Sequence, residues 1–250
     1  MQTLQNERSF RAMPAVNRAM FSTSAVSLEC ASDDESFSIP LWKRTLDLVA
    51  ILISLPVWLP VMICISLWIK AVSTGPVFFT QERVGFRGKR FKILKFRSMK
   101  MHAETESHEV HFSQLVESDE PMTKLDLRGD ERMIFSGRLI RATGLDELPQ
   151  LFNVIQGDMS LVGPRPCTES ELSKYRMEQL ERFDACPGLT GHWQVNGKNN
   201  TSFSRMIELD IFYARHASLR LDVVILLKTL PALLAQVRET RNVSDRPQKL

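Results

Sequence analysis

Two carboxylates, Asp146 and Glu147, stand side by side near the head of the segment GLDELPQLFNVIQGDMSLVGPRP, Gly144 to Pro166. Adjacent carboxylates at such a place do one of two things. They cap a helix, accepting from its unpaired N–H groups and complementing its positive end, or they take part in chemistry on an anion held there. Arg165 stands between Pro164 and Pro166, on a stiff turn suited to aiming a guanidinium at a phosphate, whose oxygens match its forked donors. Arg138 and Arg141 precede the acidic pair. Further upstream, Arg83, Arg87, Lys89, Arg90, Lys92, Lys95, Arg97 and Lys100 follow one another with no acid between them. Carboxylates among so many cations fit a Mg²⁺–phosphate site, because Mg²⁺ takes one or two carboxylates and completes its shell with phosphate oxygens and water. The capping reading of the same pair stays open on sequence grounds alone.

The elements that must position these residues are legible in outline. STGPVFFTQERVGFRGKRFKILKFRSMK reads as a turn, a strand, a glycine-containing turn and a second strand, rich in aromatic and β-branched residues. Asp146 is placed to cap a helix that tolerates Pro149 in its first turn and stops at Gly157. Thr168 and Glu171 form a T-x-x-E capping box that opens a helix running to about Phe183, with Leu172, Tyr175, Leu180 and Phe183 near helical spacing. CPGLTGHWQVNGKNN is a loop punctuated by glycine and proline. Two further helices, about 203–216 and 221–238, close the chain; the second is apolar nearly all round and carries Pro231, which fits a buried core helix or one lying in a membrane interface. Residues 101 to about 128 are polar and acidic, an exposed helix or loop insert. His108 and His111 stand there three apart, a spacing that reads as a solvated helix face before it reads as a metal site.

Upstream of all this lies LWKRTLDLVAILISLPVWLPVMICISLWIK, Leu41 to Lys70, apolar from Leu46 to Ile69 apart from Asp47 and two serines. Its length suffices for a bilayer core of roughly 30 Å. Pro56 and Pro60 sit mid-run, where each removes a helical hydrogen bond and crowds the preceding turn, and both flanks are basic, so both ends prefer the cytosolic side. A re-entrant hairpin of two half-helices broken at Pro60 accommodates all of this better than one spanning helix. Residues 1–39 show no sustained period and read as a disordered tail, with an amphipathic RSFRAMPAVNRAMF arm as the alternative; residues 239–250 read as a second tail. The fold class expected is α+β and mostly helical: residues 40–70 a re-entrant membrane hairpin, residues 71–238 a small cytosolic catalytic domain with short strands and interfacial amphipathic helices.

Taken together, these segments resemble a known family. DELPQLFNVIQGDMSLVGPRP is similar to the signature of the bacterial sugar transferases, the monotopic phosphoglycosyl transferases that act on polyprenyl phosphate. KRTLDLVAILISLPVWLPVMI resembles the family's membrane hairpin, GPVFFTQERVGFRGKRFKILKFRSM its next block and PGLTGHWQVNGKNN its late loop, and the likeness extends over about residues 41–235, closest to enzymes that begin exopolysaccharide synthesis. The resemblance implies that Asp146 is the nucleophile, attacking the sugar-bearing phosphate of a UDP-sugar and expelling UMP before undecaprenyl phosphate takes the sugar phosphate. It implies that Glu147, with Asp146, holds Mg²⁺ and that Arg165 binds phosphate. Lys95, Arg97, Arg141, Asp130 and Arg132 match charged family positions, for substrate contact or for ion pairs. A UDP-glucose or UDP-galactose donor, downstream glycosyltransferases and a place on the cytosolic face of the bacterial inner membrane come with it. Two residues depart from the pattern: Gly144 where the family has Ser or Thr, and Leu59 where it has Ser before proline.

Composition narrows the alternatives. The chain has 250 residues, 44% hydrophobic and 24% charged, with a net charge of +3. That charge is small for a nucleic-acid binder working by counterion release, and an apolar hairpin does not serve one. Cys30, Cys64, Cys167 and Cys186 have no zinc or redox spacing and read as reduced thiols. A Mg²⁺-dependent lipid-phosphate hydrolase would use the same carboxylates with water as acceptor, and a non-catalytic membrane scaffold would need neither Asp146 nor Arg165.

Overall fold

The computed structural model describes residues 39–99, 116, 118, 121, 133–135, 137–197 and 201–244. The expected disordered tail, nearly all of the polar 101–128 insert with His108 and His111, and the family positions Asp130 and Arg132 lie outside these residues. The described part is mostly helical with four short strands, in keeping with the α+β class.

Helix α1, Leu41–Val72, is one continuous run with Pro56 and Pro60 inside it. The expected break into two half-helices at Pro60 is therefore not seen. Each proline deletes one N–H and leaves the carbonyl four residues earlier, Leu52 O and Pro56 O, without its helical donor, yet the helix runs on through both. The helix is long and apolar enough to cross a membrane, and only 17% of its most apolar stretch is buried. Yet it touches the globular domain along its whole length. Lys43 and Asp47 bond to β3 and its neighbours near the N-terminus, Trp58 meets Phe152 edge-on at 6.1 Å in the middle, and Ser73 and Thr74 carbonyls beyond its end receive Arg97. Ile51, Trp58, Met62 and Ile69 belong to the main core, packed with Phe91, Ile93, Phe96, Leu151, Val154 and Val162. The other face, including Leu52, Ile53, Val57, Ile63 and Leu67, stays exposed.

Strands β1, Phe78–Val84, and β2, Arg90–Phe96, form the expected antiparallel hairpin around a 3-10 turn, Phe86–Gly88. Phe79 pairs with Lys95 and Arg83 with Phe91, so Phe79, Gln81, Arg83 and Lys95 share one face. Helix α2, Gly137–Ala142, leads to a 3-10 turn, Leu145–Glu147, and then helix α3, Gln150–Gln156. Strand β3, Ser160–Val162, runs parallel to β4, Gly188–Thr190. Glycine permits this pairing: a Cβ on Gly188 would lie 2.0 Å from Gly163 N, and one on Gly163 would lie 2.1 Å from Cys186 O.

The Thr168–Glu171 capping box forms, opening helix α4, Glu169–Leu172, but the helix does not continue to Phe183. Arg176 is extended, Gln179 accepts its N–H at 2.8 Å, and the chain restarts as a 3-10 turn, Met177–Asp184. Leu172, Tyr175, Leu180 and Phe183 still meet in one cluster with Val84 and Cys167. Helices α5, His192–Val195, and α6, Phe203–His216, precede α7, Leu219–Ser244. Helix α7 continues past residue 238 to Ser244, since RETRNVS contains neither proline nor glycine to stop it. Ile225 is buried, while Val223, Val224, Leu227, Leu230 and Leu234 leave an apolar outer face, which favours the interfacial reading of α7 over a core helix.

Candidate active site

Asp146 and Glu147 sit in the 3-10 turn that follows Gly144, whose φ of +73° is left-handed. That conformation suits glycine and strains other residues, so the departure from Ser or Thr at this position has a backbone use. The turn ends before α3 begins. The residue before α3 is Pro149, with no side-chain cap, so Asp146 does not cap that helix as the spacing suggested; the carboxylates stand on a separate turn. Gly157, in the left-handed region at φ +93°, ends α3 as expected, its N–H meeting Asn153 O.

Glu147 has a specific partner. Lys95 Nζ reaches from β2 to its Oε1 at 3.2 Å, with both side chains part-exposed. Asn153 fixes the strand that carries Lys95, accepting from Leu94 N at 3.0 Å and donating to Lys92 O at 2.8 Å. Arg141 closes the preceding helix, its carbonyl accepting from Gly144 N at 3.2 Å, so it lies next in the chain to the acidic turn. Arg97 is directed elsewhere. It is buried, and its guanidinium donates to Thr74 O at 2.6 Å and Ser73 O at 3.2 Å, tying the exit of α1 to the sheet.

Arg165 projects into solvent between two buried prolines. The backbone beneath it is anchored on both sides: Gly188 N donates to Pro164 O at 2.9 Å, and Val84 N to Cys167 O at 2.8 Å. The Gly-Pro-Arg-Pro turn is thus held between the late glycine loop and the end of β1, two segments far from it in sequence. Next to that bridge lies Arg83, buried, 3.5 Å from Glu171 and donating to Gln81 Oε1 at 2.7 Å. Burial pulls its pKa below the usual guanidinium value; Glu171 opposes this, Arg165 adds to it and Glu147 opposes it. Glu147 and Arg165, from separate segments, therefore both lie within electrostatic reach of one side chain.

Sequence reasoning counted Arg83 only within a basic stretch and did not single out Arg182 or Asp210, which lie beneath the turn. No motif marks them. Their one trace is charge inside otherwise apolar helical spacing, as in LERF and LDIF. The buried thiols of Cys167 and Cys186 are each pushed up to about 12 by burial, so neither is a thiolate nucleophile near neutrality.

The description of the bacterial sugar transferase family matches residues 39–236. The chain belongs to the bacterial sugar transferase family. It is 38% identical over 229 residues, 90% of this chain, to the UDP-galactose-lipid carrier transferase of Erwinia amylovora, of which that match is 48%. It is 36% identical over 191 residues to the exopolysaccharide production protein ExoY of Sinorhizobium fredii, covering 76% of this chain and 84% of that protein. It is 37% identical over 221 residues to the UDP-glucose:undecaprenyl-phosphate glucose-1-phosphate transferase of Caulobacter vibrioides, covering 85% and 77%. The chain thus spans about half the length of the Erwinia relative. Within the family match lie α1, the hairpin with Lys95, the Asp146–Glu147 turn and the Gly-Pro-Arg-Pro turn.

Proposed function

We propose that this bacterial sugar transferase moves a hexose-1-phosphate from a UDP-sugar to undecaprenyl phosphate and releases UMP, as the first membrane step of exopolysaccharide synthesis. The observation that carries the reading is the acidic turn itself: Asp146 beside a Glu147 that is held by Lys95. The donors and acceptor follow the names of the Erwinia and Caulobacter relatives, and the polymer that of ExoY.

In this reading a carboxylate oxygen of Asp146 attacks the sugar-bearing phosphorus. The bond from that phosphorus to the bridging oxygen breaks, UMP leaves with the electron pair, and an aspartyl phosphosugar remains. A phosphate oxygen of undecaprenyl phosphate then attacks the same phosphorus, and the Asp146 carboxylate is released. Arg165 binds the donor's phosphates, Lys95 orients Glu147, and Arg141 adds positive charge beside the turn. Such positioning and charge stabilisation supply most of what phosphoryl transfer needs. Glu147 and Asp146 fit Mg²⁺ as a two-carboxylate donor set that substrate phosphates would complete. Bound there, Mg²⁺ would neutralise phosphate charge.

The contacts of α1 with one domain at its start, middle and end support a re-entrant helix. Both of its ends then lie on the cytosolic side of the inner membrane, and its exposed apolar face sits in lipid with that of α7. Downstream glycosyltransferases would extend the lipid-linked product.

Nucleotide release tests the reading. The detergent-solubilised chain is given Mg²⁺, undecaprenyl phosphate and a panel of UDP-sugars. UMP turnover that requires lipid phosphate, with no more than one equivalent of UMP per enzyme in its absence, and loss of both in Asp146→Asn protein that still partitions to membranes, is the expected result. UDP in place of UMP would overturn it. UMP plus free sugar phosphate without lipid would mean a hydrolase.

A further inference from the structure

Beneath the Gly-Pro-Arg-Pro turn lies a buried ion pair that the chemistry above does not use. Arg182, on the 3-10 turn Met177–Asp184, is 1% exposed and Asp210, on α6, is fully buried. Arg182 Nη2 donates to Asp210 Oδ2 at 2.5 Å and to the backbone carbonyl of Arg165 at 2.8 Å, while Nη1 donates to the Tyr175 hydroxyl. The pair is not fully satisfied, since Arg182 Nε and Asp210 Oδ1 make no hydrogen bond. Two buried charges are costly to desolvate, and apolar side chains of equal volume often serve stability as well or better. What apolar side chains do not supply is a donor for Arg165 O. Backbone amides hold the carbonyls of Pro164 and Cys167; of the two carbonyls between them, that of Arg165 is held by Arg182. A proline on each side limits how the intervening residue can rotate, so fixing its carbonyl fixes the direction in which its side chain leaves the turn.

We infer that the Arg182–Asp210 pair is a positioning device, in which Asp210 orients Arg182 and Arg182 grips the Arg165 carbonyl so that the exposed Arg165 guanidinium meets the donor's phosphate. The inference rests on the reading of Arg165 as a phosphate ligand. It makes Arg182 and Asp210 positioning residues that act through Arg165, without touching substrate.

The test is a double-mutant comparison on the full chain in detergent. Asp210→Asn, or Arg182→Lys should the former not accumulate, is made alone and together with Arg165→Ala. With Arg165 present, the donor kcat/KM should fall about tenfold, mainly through KM, the scale of loss that a slightly misplaced charged group produces. With Arg165 already gone, the same change should cost less than about twofold, because the two residues act as one unit. Equal losses in both backgrounds would overturn the inference and leave the pair a general structural element. Hydrogen exchange gives a readout without turnover: the Gly188 and Cys167 amides, which bond Pro164 O and Val84 O at the turn, should exchange faster in Arg182→Lys while the β1–β2 hairpin is unchanged. Unaltered exchange at the turn would also overturn it. A native chain that releases no UMP from any donor would sink the proposed function instead, with the hold on the turn then decided by exchange.

Discussion

Lys95 and Glu147, 52 positions apart, meet at 3.2 Å, one from a strand and the other from a turn. Both side chains are part-exposed, 21% and 36%, so their attraction is screened and contributes at most about 1 kcal/mol to stability. The bond belongs to the site more than to the fold. Lys95→Met and Glu147→Gln are expected to keep thermal midpoints close to those of the native chain. Each should lower kcat for sugar-phosphate transfer about 100-fold, the scale of losing one preorganised charge partner. Parallel melting curves and UMP-release rates check this; a large loss of stability with little loss of rate would reassign the pair.

Lys43 and Asp222 tell the opposite story. Lys43 Nζ is 2.6 Å from Asp222 Oδ2 and also donates to Tyr213 OH and Val162 O, each at 2.8 Å, with all three side chains buried. This knot joins α1 to α7 and to β3. Lys43→Met strands a buried carboxylate and should cost about 3–5 kcal/mol. Lys43→Met with Asp222→Leu should recover a substantial part of it. Unfolding midpoints of the single and double variants in one detergent decide the matter, and a double variant as unstable as the single would contradict the account.

Gly188 and Gly157 separate two uses of glycine. A methyl group on Gly188 would lie 2.0 Å from a backbone nitrogen that has nowhere to move, whereas one on Gly157 meets nothing within 4 Å. Gly188→Ala should therefore cost about 3 kcal/mol or more and abolish accumulation of folded protein. Gly157→Ala suffers only the strain of its φ of +93°, about 1 kcal/mol. Soluble yield and proteolytic resistance of the two variants provide the comparison.

Asp210 gives a pH signature with opposite signs in stability and rate. Burial pushes its carboxyl up to about 6 from an ordinary 3.8, against the opposing effects of Arg182 and Arg165; Tyr175, beside Arg182, stays neutral because burial raises its pKa. A folded pKa above the unfolded one means that the folded state binds the proton more tightly. The group's contribution to stability is thus greatest at acid pH and declines as pH rises from about 4 to 6. Ionised Asp210 is the form that orients Arg182, so donor kcat/KM should rise over the same interval. The difference in melting temperature between the native chain and Asp210→Asn, followed from pH 4 to 7, should fall and then level near pH 6. A flat difference would show that Asp210 does not titrate there.

Residue type and local spacing determined a good deal by themselves. The apolar run of α1, the β1–β2 hairpin, the Thr168–Glu171 box, the stop at Gly157 and the closing helices all rest on short-range physics: turn residues, caps and alternation act within a few positions. The acidic pair and Arg165 were visible as well, because charged residues in an apolar segment and an arginine between prolines are conspicuous without a fold. Tertiary structure decided the rest, since it depended on contacts between distant segments. It carried α1 through both prolines, and it placed Asp146 on a turn of its own instead of at a helix cap. It broke the helix expected to reach Phe183 while keeping the same apolar residues buried together. It turned Arg97 toward the end of α1 and Lys95 toward Glu147. And it set Arg182 and Asp210, 28 positions apart and marked by no motif, against one carbonyl of the turn that displays Arg165. Side-chain chemistry is written residue by residue; which groups meet depends on how the chain closes over long separations, and no local pattern encodes that.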